Sequence, residues 1–66
     1  MRFSEKLNIL LMRKRIKGKQ VAEVIGVTEA CVSRWRQGQT YPRCIELYKL
    51  AHMLGVSMEY LIEEDV

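Results

Sequence analysis

Apolar residues recur every three or four positions through most of this 66-residue chain. This spacing predicts helices that each turn one face toward a core. The pattern is clearest between residues 18 and 38, where two short apolar stripes lie on either side of Gly26. The apolar positions of these stripes are Val21, Ala22, Ile25, Val27, Val32 and Trp35. Because glycine readily adopts the left-handed conformation that ends a helix, Gly26 predicts a tight turn between two helices.

The same period continues on both sides and predicts an all-α fold, a compact bundle of about five short helices. A stripe from Phe3 through three leucines to Ile16 predicts the first helix, with Ser4 as its N-cap. Thr28 and Ser57 are the expected N-caps of the third and fifth helices. The second helix is expected to start near residue 17 or 18, the third to span 29–37, the fourth 43–54 and the fifth to begin at 58. The fourth helix is expected to bury Cys44, Leu47, Leu50, Ala51 and Leu54.

Composition narrows the class of protein. Hydrophobic residues make up 48% of the chain and charged residues 29%, as in ordinary globular domains. No stretch approaches the roughly 18 consecutive apolar residues of a membrane span, and the start has no secretion signal, so we expect a cytoplasmic domain over residues 1–66 that does not bind membranes. Cys31 and Cys44 lack the close spacing of metal ligands and are expected to stay reduced, without metal or cofactor. His52 has no neighbouring nucleophile, so the sequence does not predict an enzyme.

The charge is distributed unevenly along the chain. Residues 1–43 contain ten Lys and Arg against three acidic residues, a net charge of +7. Residues 44–66 contain one Lys against five acidic residues, a net charge of −4. A basic first part beside an acidic second part indicates a module that faces a polyanion on one side. The basic run from Arg13 to Lys19 could also be a solvated helix end, but it adjoins the two central helices.

These residues resemble the helix-turn-helix of the lambda-repressor-like regulators, which include phage repressors, Cro proteins and many small bacterial transcription factors. The resemblance rests on Val21-Ala22, Ile25-Gly26-Val27, Val32, Trp35 and Gly38, and then on Pro42-Arg43, Leu47, Leu50-Ala51, the run from Leu54 to Ser57, and Leu61. It implies a regulator of transcription that binds double-stranded DNA sequence-specifically, a repressor of phage or mobile-element type. The helix over 29–37 would lie in the major groove.

The resemblance also implies which side chains contact DNA. The expected base-reading residues are Glu29, Ala30, Ser33 and Arg34. Their chemistry favours Arg34 on guanine, Glu29 on a cytosine amino group and the Ala30 methyl against thymine. An acid in the first turn also stabilises its own helix, so Glu29 has a second explanation. The expected backbone contacts are Lys17, Lys19, Gln20, Thr28, Gln37, Gln39, Thr40 and Arg43.

Two departures from the family pattern change the expected contacts. Family members commonly carry Ser or Thr and then Gln at the positions of Lys17 and Gly18, so we expect backbone N–H groups and nearby lysines to bind the phosphate instead. Family members also often pair a basic residue of the first helix with a Glu of the third. Leu11 and Arg36 occupy those positions here. The joint change avoids an unpaired buried charge, and we expect the Arg36 stem to lie on Leu11 with its guanidinium toward solvent or phosphate.

The last helix suggests how the molecule is assembled. Residues 56–64 have more apolar side chains than one short helix can bury in a domain this small. The resemblance also implies a homodimer on an inverted repeat. The expected interface residues are Met58, Tyr60, Leu61 and Ile62. Two alternatives stay open. The chain could be an antitoxin-like DNA binder whose C-terminal end is covered by a small partner protein. It could also be a protein-interaction module that has lost DNA binding. Gly18, which stands where the family has Gln, and the acidic Glu29 allow this alternative.

Overall fold

Five α-helices account for most of residues 1–63, the part of the chain that this computed structural model describes. They are α1 (Phe3–Lys14), α2 (Gly18–Ile25), α3 (Glu29–Gln37), α4 (Cys44–Leu54) and α5 (Met58–Ile62). The described residues contain no strand, so the predicted all-α bundle is confirmed. The predicted bounds of the third helix coincide with those of α3. Residue 64, at the end of the predicted dimerisation segment, lies outside the described residues.

A single apolar core joins all five helices. α2 packs against α3, α1 and α4 flank this pair, and α5 closes the bundle against α1 and α4. Trp35 of α3 lies in this core with only 1% of its surface exposed. The other buried apolar residues are Phe3, Leu7, Leu10, Leu11, Val21, Ala22, Ile25, Val32, Leu50, Ala51, Leu54 and Leu61. The apolar stripes predicted around Gly26 therefore do face inward, with Val27 partly buried at the turn.

Local hydrogen bonds fix where two of the helices begin. The Thr28 hydroxyl accepts a hydrogen bond from the Cys31 amide at 3.1 Å, and the Ser57 hydroxyl accepts one from the Tyr60 amide at 3.0 Å. Both predicted N-caps are confirmed. The prediction of Ser4 as the N-cap of α1 is wrong, because the helix starts earlier, with Arg2 as the N-cap. This earlier start places Phe3 in the first turn, where its ring is buried.

Two other predicted boundaries or faces need correction. The predicted first helix reaches Ile16, but α1 stops at Lys14 because Arg15 adopts the left-handed conformation with φ of 55°. Ile16 still packs against the core after this turn, which explains why the apolar stripe seemed continuous. Cys44 was expected inside the fourth helix but is exposed, because it is the first residue of α4, where that helix begins at the edge of the core. Leu47 is only partly buried.

The structure also bears on cysteine pairing, metal binding and membrane insertion. Cys31 and Cys44 are both free thiols. Within residues 1–63, no three His, Cys, Asp or Glu side chains come together in a way that could hold a metal ion. None of the helices in this range is both long and apolar enough to cross a lipid bilayer.

Gly38 ends α3 at a point where the backbone and a neighbouring side chain both favour glycine. Its φ is 79°, and a Cβ atom there would lie 3.3 Å from the Ser4 hydroxyl oxygen. We expect the left-handed backbone alone to make Gly38→Ala lower the free energy of unfolding by about 1–2 kcal/mol. The loss should be larger than this because the Ser4 side chain must also shift to make room for the new Cβ atom. Urea denaturation of the variant and the parent protein measures this loss.

Gly26→Ala is the matched control for this prediction. Gly26 has a similar φ of 87°, but nothing lies within 4 Å of its would-be Cβ. Gly26→Ala should therefore lose only the stability that comes from the left-handed backbone. The double variant Ser4→Ala, Gly38→Ala should lose about as much stability as Gly26→Ala, because the Ser4 hydroxyl is no longer in the way. Equal losses for the two single glycine variants would contradict a role for the Ser4 contact.

Candidate nucleic-acid interface

The outer face of α3 presents the four residues predicted to read bases. Glu29, Ala30, Ser33 and Arg34 are all exposed. At about 100° per residue they span roughly 140° of the helix circumference. Val32 and Trp35 occupy the opposite side and are buried, which fixes the direction in which this outer face points. The Thr28 cap and the Gly38 stop set its two ends.

A hydrogen bond links this face to one of the predicted backbone contacts. The Gln37 side-chain amide donates to the Ser33 hydroxyl at 3.3 Å, and both residues are exposed. Because Ser33 accepts here, its own hydroxyl proton stays available for another acceptor. Thr28 is similar, since its hydroxyl oxygen accepts from Cys31 and the hydroxyl proton is still available to donate to a phosphate.

The start of α2 lies beside this face. An open groove lies between the two helices, and Asn8 of α1 also lines it. The residues that line the groove are Asn8, Lys17, Gly18, Lys19, Glu29, Val32, Ser33, Arg36 and Gln37. The Lys17 amide donates to the Gln20 side-chain oxygen at 2.8 Å, so this carbonyl is occupied while the NH2 group of Gln20 can still donate. The groove thus brings together two of the predicted base-reading residues, Glu29 and Ser33, with three of the predicted backbone contacts, Lys17, Lys19 and Gln37. The other predicted residues are exposed but do not line it: Ala30, Arg34, Gln20, Thr28, Gln39, Thr40 and Arg43.

The basic run of the sequence divides in the structure. Lys17 and Lys19 line the groove between α2 and α3. Lys14 turns elsewhere, since its ammonium lies 4.0 Å from where a Cβ of Gly55 would be, at the end of α4. A cation at a helix C-terminus is stabilised by the helix dipole. Part of the basic run therefore stabilises the bundle and does not face the groove.

The loop after α3 holds the remaining predicted backbone contacts at the surface. Gln39, Thr40 and Arg43 are exposed. The ring of Tyr41 packs on the buried ring of Phe3, with centroids 5.4 Å apart, which attaches the loop to α1. The Arg43 amide donates to the Glu46 carboxylate at 2.9 Å, so Arg43 is held at the start of α4 while its side chain stays exposed.

Asn8 is a residue of this groove that the sequence analysis missed. Its side-chain oxygen accepts from Arg36 Nε at 2.7 Å, and its side-chain nitrogen donates to the Arg36 carbonyl at 2.9 Å. Leu11, the partner expected for Arg36, is buried in the core, and Asn8 lies about one turn earlier on α1. The one signal in the sequence was an asparagine inside an apolar helical stripe, where this residue is unfavourable without a specific bond.

The predicted dimer residues of α5 do not share one environment. Leu61 has no exposed surface, so its assignment to an interface is wrong: its side chain belongs to the core. Met58 is partly buried against the core, whereas Tyr60 and Ile62 are 46% and 55% exposed. Lys6 is buried under α5, and its ammonium donates to the carbonyls of Tyr60, at 2.8 Å, and of Glu63. This lysine fixes α5 on α1 by binding the carbonyls at its C-terminal end.

Two curated relatives align with nearly all of this chain. The HTH-type transcriptional activator BcrR of Enterococcus faecalis is 31% identical over 62 residues, which are 94% of this chain and 30% of the relative. An uncharacterized HTH-type transcriptional regulator of Haemophilus influenzae is 35% identical over 60 residues, 89% of this chain and 24% of the relative. The chain thus spans less than a third of the length of either relative.

Among solved structures, the P22 c2 repressor, crystallised in complex with synthetic operator 9T, superposes with a TM-score of 0.91. The superposition covers 98% of each chain at 23% sequence identity, which establishes a common fold. The family model of the Cro/C1-type HTH DNA-binding domain matches residues 6–64, nearly the whole sequence. Since that match includes both central helices and the groove beside them, the chain belongs to the Cro/C1-type helix-turn-helix DNA-binding domain family.

Proposed function

We propose that this chain is a sequence-specific binder of double-stranded DNA that regulates transcription, with α3 in the major groove. The observation that carries the proposal is the exposed outer face of α3 beside the basic start of α2. Glu29 and Ser33 of that face share one open groove with Lys17 and Lys19. A B-DNA major groove about 12 Å wide admits one helix, and short polar side chains on that helix can reach base edges. Residues 1–66 would act as one non-enzymatic domain in the cytoplasm. Repression of phage or mobile-element type stays a prediction from the resemblance.

The exposed side chains of α3 divide by the chemistry of the bases they fit. Arg34 fits the two acceptors of guanine, and Ser33 keeps a hydroxyl proton to donate. Ala30 offers a methyl group to thymine. Glu29 fits the cytosine amino group, and it also lies in the first turn of α3, where its charge stabilises the helix.

The proposed phosphate contacts surround this face on two sides. Lys17, Lys19 and Gln20 lie at the start of α2, and Thr28 and Gln37 lie at the two ends of α3. On the other side, the loop after α3 offers Gln39, Thr40 and Arg43. Contacts on both sides would hold α3 in register along the groove without contributing to base preference.

A homodimer that uses α5 would place two copies of α3 on successive major grooves, about 34 Å apart. Tyr60 and Ile62 support this arrangement because they are exposed apolar side chains on one short helix. Leu61 contributes only indirectly, by anchoring α5 in the core. Pairing is a common way for a small module to gain specificity, because one domain alone buries little surface on DNA.

Ile62→Asp tests the proposed dimer. We expect sedimentation equilibrium to change from dimer to monomer, because a charge would have to be buried at the interface. Affinity for an inverted repeat should fall by about 100-fold, whereas affinity for one half-site should change little. Ile45→Asp is the matched control, since Ile45 is 69% exposed on α4 and lies outside α5. If both variants sediment like the parent protein, α5 does not form the interface.

Selection of bound duplexes from a random DNA pool, at stated salt concentration and with untagged protein, tests the proposed function. Enrichment of an inverted repeat with half-sites about one helical turn apart is the expected result. Binding that depends on salt but not on sequence would leave the basic groove as a DNA contact and remove α3 as a reader.

A protein partner is the second candidate function, and exposed apolar residues away from α3 favour it. Val24 of α2 and Ile45 and Tyr48 of α4 are between 59% and 69% exposed. These side chains lie outside the groove between α2 and α3. An antitoxin-like chain, or an interaction module without DNA binding, would co-purify with a small protein that covers such residues. Failure of the random-pool selection would favour the interaction module that does not bind DNA.

A further inference from the structure

Asn8 and Arg36 form a two-point pair across α1 and α3. One hydrogen bond, of 2.7 Å, joins Arg36 Nε to the Asn8 oxygen, and the second, of 2.9 Å, joins the Asn8 nitrogen to the Arg36 carbonyl. The second bond ties Asn8 to the backbone of α3, so the first holds the Arg36 side chain in one direction. Arginine otherwise has many rotamers, and fixing it in advance reduces the entropy lost on binding.

The pair turns the Arg36 guanidinium toward the start of α2. Its Nη1 atom lies 3.6 Å from where a Cβ of Gly18 would be. Arg36 therefore adds a third cation to the groove that Lys17 and Lys19 also line. Only the Nε–H group of the guanidinium is used by Asn8, so the four N–H groups on its two terminal nitrogens remain to bind an oxygen ligand.

The position of Arg36 on α3 favours phosphate over bases. At about 100° per residue, position 36 lies roughly 90° from the centre of the outer face defined by positions 29, 30, 33 and 34. This rotation is toward α1 and α2, consistent with the bond to Asn8. A side chain at this edge would meet the sugar–phosphate strand beside the groove that α3 enters.

We propose that Arg36 binds a DNA backbone phosphate, and that Asn8 is the residue that positions it. The inference rests on the proposed function and adds a contact to that surface. The phosphate oxygens would accept from the terminal nitrogens of Arg36, while Lys17 and Lys19 add positive charge from the α2 side of the groove. Gly18 carries no side chain between the guanidinium and the start of α2.

Salt dependence of binding to the selected duplex separates this role from a structural one. Each neutralised phosphate contributes about −0.9 to the slope of log affinity against log salt. Arg36→Ala should therefore make the slope shallower by about one unit and leave the base preference unchanged. Arg36→Lys should keep the slope, because it keeps the charge. Arg13→Ala is the matched control, since it removes an exposed arginine that does not line the groove.

Asn8 is tested by a double-mutant cycle. Asn8→Ala alone should weaken binding by about threefold to tenfold with the salt slope retained, because the charge is kept but is less well positioned. In the Arg36→Ala background, Asn8→Ala should have no further effect on DNA binding. Circular dichroism establishes that each variant is folded at the assay temperature, and Arg36→Lys tests the slope even if Arg36→Ala does not fold.

The outcomes distinguish this inference from the proposed function. An unchanged salt slope in folded Arg36→Ala, with selective binding by the parent protein, would overturn the inference alone. A changed base preference would also overturn it, since Arg36 would then read a base. If Arg36→Ala does not fold, Arg36→Lys provides the test. A salt slope in Arg36→Lys that is shallower than the parent slope by about one unit would overturn the inference. If the parent protein binds no duplex, the proposed function is overturned, and the inference that rests on it is overturned as well.

Discussion

Trp35→Ala should lower the free energy of unfolding by about 3–5 kcal/mol, the cost of removing a large aromatic side chain from a packed core. Trp35 is the largest fully buried side chain, with 1% of its surface exposed. For 66 residues, the total free energy of unfolding is expected to be about 3–10 kcal/mol. The substitution would therefore remove between about a third and all of this stability.

Urea denaturation followed by circular dichroism measures this loss. Tyr48→Ala is the matched control, since Tyr48 is also aromatic and helical but is 59% exposed. It should change the free energy of unfolding by less than about 1 kcal/mol. A Trp35→Ala variant as stable as the Tyr48→Ala variant would mean that the core does not centre on α3.

The helix-turn-helix could be predicted in detail because its determinants are local. Thr28 accepts from an amide three residues later, and Gly38 takes the left-handed conformation three residues after Trp35, the last apolar residue of α3. Between these ends, Val32 and Trp35 are three residues apart and so share one face. A short stretch of sequence contains all of this information, which is why the bounds and the buried face of α3 were both predicted correctly.

Features that depend on distant contacts could not be predicted in the same way. Asn8 and Arg36 are 28 residues apart, and a polar residue in a helical stripe does not reveal which chain segment it bonds. The Leu61 error has another cause. α5 has only five residues, too few for the period to show which apolar side chains face inward. Only the packing of α5 on α1 and α4 decides that Leu61 is buried while Ile62 is exposed.

The proposed DNA-binding surface combines side chains with two different roles, and this division can be measured. Residues on the outer face of α3 would determine which sequence is preferred, and residues around it would determine how strongly any duplex is held. Arg43 belongs to the second group, since it lies in the loop after α3 at the start of α4. Arg34 belongs to the first, because it is exposed on the outer face of α3.

Arg34→Ala should weaken binding to the selected operator by about 1–3 kcal/mol and remove the preference at one base pair, because a bidentate contact to guanine would be lost. Titration of the selected operator with each protein measures the loss of affinity, and repeating the random-pool selection with the variant measures the base preference. Arg43→Ala removes the same charge from the loop, so it should weaken binding to all duplexes alike and make the salt slope shallower by about one unit. Uniform weakening by Arg34→Ala, with the base preference intact, would move Arg34 into the same group as Arg43. The preference would then have to come from Ser33, Ala30 and Glu29, whose shorter side chains require α3 to lie deeper in the groove.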